Sequence, residues 1–327
     1  MNDLTPAPGG MVDQSRIATY YGLPSVKPSL WGWLVSSYIF AAGIGGSAQV
    51  IAAMADFAGY RSLIPIVRKG RYIALGAALT GAPLLIIDLH TPRRWYNMLR
   101  IFRTTSPMSI GTYVLMSFGA LSAALAAAQF AEDRGASPGR PMRAGIKALQ
   151  VPATLAGMAM STYTGALLSS TSTPLWAAAP RRIAALFGAS AMASGAAVLT
   201  IATKRDVRGG EAGRALGRLS LLTSAVELAL SLSLRARFRQ QGVDGALHET
   251  GWGAAYDIGV VALGAGLPLL DHGARELAHS KRAPSSTVVI PLIVLAGGFL
   301  LRHLLLQAGN ISARRPRDYF RFAGPQL

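Results

Sequence analysis

The chain has 327 residues, of which 51% are hydrophobic and only 14% charged, and its 32 Lys and Arg against 15 Asp and Glu give a net charge of +17. Soluble domains usually carry about 25% charged residues, so the composition points to a membrane protein. The basic excess then suits anionic lipid headgroups and an acidic partner, with no nucleic acid implied; the absence of cysteine excludes a disulfide or an iron–sulfur cluster held by this chain.

Residues 1–29 are polar and contain proline, with no short apolar region of a signal peptide. The first apolar run therefore serves as the insertion signal. Runs follow at 30–57, 72–89, 110–130, 148–168, 183–203, 219–234, 252–270 and 283–301. About 20 such residues cross the hydrocarbon core as a helix. The runs are continuous rather than alternating, which requires helices and rules out a barrel. The expected fold is an all-α integral membrane protein of eight transmembrane helices over residues 30–309, followed by a basic tail at 310–327.

Trp31, Trp33, Trp176 and Trp252 fall at expected span ends, as an interfacial aromatic belt would place them. Lys and Arg occur in almost every loop, so the charge bias between the two sides does not set an orientation. Small residues such as Gly43, Gly45 and Gly46 crowd the first span and predict close helix contacts.

The loop at 88–109, between the second and third spans, is charged, aromatic and rich in turns. Trp95, Met98, Leu99 and Phe102 lie at helical spacing, with Arg93, Asn97, Arg100 and Arg103 opposite, which predicts an amphipathic interfacial helix of two to three turns. Ser106 stands at an N-cap position and Pro107 at the first helical position of the third span. Asp88 and His90 sit at the mouth of the second span. Such a pair can exchange protons with a redox-active hydroxyl, because burial and neighbouring charge tune both groups. The alternative is an ion pair from Asp88 to Arg93 or Arg94 that only closes the loop.

Further acids lie within the spans: Asp56, Glu227, Asp257 and Asp271. They are candidates for a proton path; for Glu227 the competing reading is pairing with Arg302 or another helix-lining polar group. Of the five histidines only His303 reaches a span interior, so no haem is expected.

Taken together, Tyr38, Phe40, Gly43 and Gly46, then Asp88-Leu89 with Pro92 and Arg94, Asn97-Met98-Leu99, the run from Ser106 to Gly111, Tyr163 to Leu168, and Gly298 to Arg302 resemble the NrfD-like family. These are the integral membrane subunits of polysulfide reductase and related molybdoenzyme complexes. The resemblance spans residues 31–309 and implies two four-helix bundles in the inner (cytoplasmic) membrane. It implies a quinone, menaquinone or ubiquinone, that exchanges electrons with an iron–sulfur (ferredoxin-like) subunit, itself connected to a molybdopterin-type catalytic subunit. Tyr163 matches the family's fourth-span tyrosine of the quinone pocket. Near the start of the first span, where members often carry a polar residue, stand Ser37 and Tyr38, so the expected quinone contacts are Asp88, His90, Tyr163, Tyr38 and Ser37. With the clusters on a partner, Arg93, Arg94, Arg100 and Arg103 become candidates for docking it. Two other classes stay open from the residues alone: a secondary transporter, given the glycine- and proline-interrupted helices with buried acids, and a structural anchor without quinone chemistry.

Overall fold

The computed structural model describes residues 26–29, 31–89, 91–100, 102–206, 210–248, 251–277 and 288–323. Among them there is no β-strand. Eight long helices follow one another: α1 (Trp33–Ala58), α2 (Ile64–Asp88), α3 (Pro107–Asp133), α4 (Arg140–Ser169), α5 (Pro180–Thr203), α6 (Glu211–Gln240), α7 (Trp252–Leu277) and α8 (Val289–Arg314). A short helix, α9 (Pro316–Ala323), closes the described residues.

Seven of these helices, all but α4, are long and apolar enough to cross a membrane. Helix α4 has 30 residues, but its first turns carry Arg140, Arg143 and Lys147 and its body is rich in small and polar residues. Several helices outrun their apolar stretches. Helix α6 extends from Glu211 to Gln240 around an apolar run of 219–234, and α8 reaches Arg314, beyond the expected tail boundary at 310. Hydropathy marks only the stretch suited to hydrocarbon, whereas backbone hydrogen bonding carries the helix on into the charged interface. Residues 283–287 of the last expected span lie outside the described residues.

Helix α1 is the central element: 72% of its apolar window is buried inside the protein, against 28% for α2, α3 and α6. It packs on α2, α4, α5 and α8. Small residues make this possible, because helices in lipid associate through close van der Waals contact rather than a hydrophobic drive. At the α1–α4 crossing a Cβ added to Gly157 would stand 2.7 Å from the carbonyl oxygen of Gly46, so any larger residue would push the helices apart. Helix α3 packs on α2 and α4, α6 on α5, and α7 on α6 and α8. Residues Ala255–Gly266 of α7 are π-helical.

Trp176 departs from the aromatic-belt expectation. It is 1% exposed, stacks on Trp31 at 5.6 Å and donates its indole N–H to the carbonyl of Leu305 at 2.8 Å. A helix carbonyl inside the protein satisfies its polar tip, so it packs in the core. Trp33 is exposed as expected.

Candidate functional site

The site grows from the start of α3. Ser106 caps the helix, its Oγ accepting from the backbone N–H of Ser109 at 3.4 Å, and Pro107 opens the first turn. Three contacts tie the preceding loop to this helix. The Tyr113 hydroxyl donates to the Leu99 carbonyl at 2.9 Å, the Arg103 backbone N–H donates to Ser109 Oγ at 3.0 Å, and Phe102 meets Tyr113 edge to face at 4.8 Å. The expected two- to three-turn interfacial helix is therefore cut short. Among the described residues of the loop, only a 3-10 turn at Pro92–Arg94 and one α turn at Asn97–Arg100 form. A segment this short has little helical stability of its own, and α3 claims its polar backbone groups.

Between α1, α2, α3, α4 and this loop lies a cavity of about 350 Å³. Its walls are apolar, from Ala42, Ala77, Leu85, Leu115, Phe118 and Met160, and its polar groups come from Tyr38, Asn97, Arg103, Thr112, Tyr163 and Thr164. The Tyr163 hydroxyl donates to the Pro107 carbonyl and accepts from the Gly111 N–H. Those two groups are also the i and i+4 partners of the first turn of α3, so the phenol sits against that turn. Its ring lies directly over Gly111, where any side chain would collide with it. Tyr38 is within electrostatic reach of both Tyr163 and Asp88, the last residue of α2.

The structure thus places Tyr38 and Tyr163 on the cavity, while Asp88 is within electrostatic reach of Tyr38 but absent from the cavity lining. Ser37 does not join them: it is absent from the cavity lining, and its hydroxyl donates to the Trp33 carbonyl of its own helix at 2.8 Å. His90 lies outside the described residues. The arginines divide, with Arg93, Arg94 and Arg100 exposed on the loop while Arg103 also lines the cavity. Asn97, Thr112 and Thr164 were not singled out from the sequence as site residues. The available signal was position alone, since Asn97 sits in the charged loop and Thr164 follows Tyr163.

The four acids within the spans have separate surroundings. Asp56 accepts from the Gln150 amide and pairs with Arg71 at 3.4 Å. Asp257 pairs with Arg235 at 3.2 Å, and Asp271 with Arg275 at 2.6 Å one turn along α7. Glu227 is 4% exposed and hydrogen-bonds Ser190, whose Oγ also accepts from Arg302 at 3.2 Å. Arg302 therefore meets Glu227 through a hydroxyl. Among the described residues no group of three or more His, Asp or Glu is placed to hold a metal ion.

Four helices around an apolar cavity with two phenols, next to the loop that carried the resemblance, can be set beside known proteins. A family model described as Polysulphide reductase, NrfD, matches residues 24–313. The chain belongs to the NrfD family. Within it, the C subunit of polysulfide reductase from Wolinella succinogenes is 26% identical over 309 residues, covering 86% of this chain and 94% of that protein. NrfD membership and the apolar helices together make this a multi-pass membrane protein.

Proposed function

We propose that this NrfD-family protein is the quinone-reactive membrane subunit of a molybdoenzyme complex, passing electrons between membrane quinone and an iron–sulfur subunit that serves a molybdopterin-type catalytic subunit. The observation that supports this reading is the cavity, which pairs an apolar slot with phenolic hydroxyls at the helix ends. Its volume of about 350 Å³ lies at the small end of ligand sites, roughly 300–1,000 Å³. That suits a substituted ring, with a long apolar tail running out between the helices into lipid.

A bound quinone, menaquinone or ubiquinone, supplies a couple of two electrons and two protons. The residues present fit it: a quinone carbonyl needs hydrogen-bond donors, and Tyr163 and Tyr38 carry them. Tyr163 can turn its hydroxyl toward a ligand because the Pro107 carbonyl and the Gly111 N–H are partners within the first turn of α3. Asp88, within electrostatic reach of Tyr38, is the proton acceptor of the set, and His90 is assigned with it. The apolar walls exclude bulk water and strengthen each polar contact. Coupling of this chemistry to proton movement belongs to the same reading.

All eight long helices cross the inner (cytoplasmic) membrane in this proposal, as two four-helix bundles. Helix α4 is included because α1, α3 and α5, each apolar enough to span, pack along it. Helices α1 to α4 enclose the cavity, and α5 to α8 form the second bundle. The exposed Arg93, Arg94 and Arg100 stand where an acidic partner surface would meet the loop, and Arg103 links that surface to the cavity. Quinol oxidation by the assembled complex tests the assignment. Tyr163→Phe should lower turnover with assembly intact, and unchanged turnover would move the quinone site elsewhere.

A further inference from the structure

The half of the α1–α4 group that faces away from the cavity contains buried polar atoms with no hydrogen-bond partner. They are both amide atoms of Gln49 on α1, Nε of Arg71 on α2, Oγ of Ser122 on α3 and Oε1 of Gln150 on α4. All four residues are buried, three of them fully. Each helix of the group contributes one. Leaving such a group unpaired is unfavourable, and internal water is the usual remedy where the site is polar.

Their spacing places them in a line. Met160 and Thr164 of α4 line the cavity. Ser161 comes next, its Oγ facing Gly46 of α1 and donating to the Gly157 carbonyl at 3.0 Å. Gln49 follows one turn further from the cavity, its Cβ 3.5 Å from where a Cβ on Gly157 would stand. From Gln49 to Asp56 along α1, and from Gly157 to Gln150 along α4, the step is two turns, about 10.5 Å on one helix face. The far pair meets as this geometry requires, Gln150 Nε2 donating to Asp56 Oδ2.

Beyond that pair the network is continuous. Arg71 bridges Asp56 at 3.4 Å and Gln129 at 2.9 Å. Gln129 donates to Asp133 at 3.1 Å, and Asp133 is bonded by Tyr72 at 2.7 Å and Arg68 at 2.8 Å. The Asp56 side chain is 26% exposed, so it can exchange protons with the surrounding medium. Arg71 is the charged group directly facing it.

We propose that this line is a water-bridged proton path joining the cavity to the opposite membrane face, through Ser161, Gln49 and Gln150, with Asp56 as its mouth. The proposal rests on the reading of the cavity as a quinone site. Removal of two electrons from a hydroquinone by the partner's iron–sulfur cluster breaks two O–H bonds and releases two protons. One of them travels along this path to the Asp56 carboxylate, which passes it to water; the other passes to Asp88 and from there to water at the cavity's own membrane face, and quinone reduction takes up both by the same two routes.

Two measurements test it. In sealed vesicles containing the assembled complex, a pH dye on the Asp56 side reads proton release during quinol oxidation. Asp56→Asn and Gln49→Leu should each cut that release at least about tenfold, the scale of one lost proton-transfer group. Asp56→Glu should restore it, and binding of a short-chain quinone should be unchanged in all three. The second readout needs no quinone. In the full-length protein in nanodiscs, the infrared amide band that disappears in Gln49→Leu should shift when water is replaced by D₂O. A Gln49 band that does not exchange, or release unchanged in both Asp56→Asn and Gln49→Leu, would overturn the path. Loss of quinone binding in Tyr163→Phe together with an exchanging Gln49 supports both readings, whereas no quinone binding by the wild-type protein removes the cavity reading and leaves the exchange result to decide the path.

Discussion

The cavity beside Tyr163 and the cluster around Arg302 use the same kinds of residue inside the same membrane protein, but their polar groups face different things. At the cavity the phenols of Tyr38 and Tyr163 border a space of about 350 Å³. Around Arg302 the polar groups face one another: the guanidinium donates to Gly298 O at 2.7 Å, Ser190 Oγ at 3.2 Å and Phe187 O at 3.4 Å, and Phe40 and Phe187 cover it with ring centres at 5.6 and 5.5 Å. Glu227 completes the cluster through Ser190. Gly43 and Gly298 let the helices close on this cluster, since a Cβ on Gly43 would meet Arg302 at 2.9 Å and one on Gly298 would meet Ser194 at 2.6 Å. A buried polar group is a ligand site only where it borders a space; where it is packed on all sides, it holds helices together.

That distinction predicts opposite phenotypes, stability loss at Arg302 and functional loss at Tyr163. The largest effect belongs to Arg302→Met. It strands Glu227 in the interior and should cost about 3–5 kcal/mol, read as a lower thermal midpoint and a lower folded yield in detergent. Adding Glu227→Gln should recover much of that loss, and a double-mutant cycle showing no coupling would break the comparison from this side. Next comes Gly111→Ala. Its methyl group would occupy the space of the Tyr163 ring, so it should cost about 1–3 kcal/mol of stability and weaken quinone binding as the ring is displaced.

Tyr163→Phe is milder for the fold. It removes one hydroxyl and its bonds to Pro107 and Gly111, a loss of about 1 kcal/mol. Quinol oxidation should fall by up to about tenfold with the thermal midpoint nearly unchanged. A stability loss as large as that of Arg302→Met would mean that the phenol, too, is only a packing element. The smallest effect belongs to Arg93→Glu on the exposed loop. It should weaken assembly with the partner subunit by about 1 kcal/mol or less, more at low salt than at high, without altering quinone binding to the membrane subunit.

The loop at 88–109 was legible because its composition breaks so sharply from the apolar runs on either side. Tyr38 and Tyr163 come from two different helices, α1 and α4, and no spacing along the sequence announces that they border one cavity. The resemblance supplied Tyr163, and only packing supplied its partners at Pro107 and Gly111. Ser37 shows the converse. One residue before Tyr38, it lies about 100° further round the helix, and its hydroxyl turned back to its own backbone. The amphipathic pattern of the loop was present in the residues, but the pull of α3 on Leu99 and Arg103 left only one turn of helix.

The sequence by itself determined the helical membrane class, the positions of most spans, the absence of a cluster-holding cysteine and the family, because hydropathy and composition are sums over neighbouring residues. Tertiary structure alone decided which polar residues border a space and which fill one. It placed Trp176 in the core, engaged Arg302 and Glu227 through Ser190, and left Gln49 without a partner between α1 and α4. The reason is physical: in lipid every polar group must find a partner, and only the packing of several helices settles whether that partner is a backbone carbonyl, a side chain, a water or a ligand.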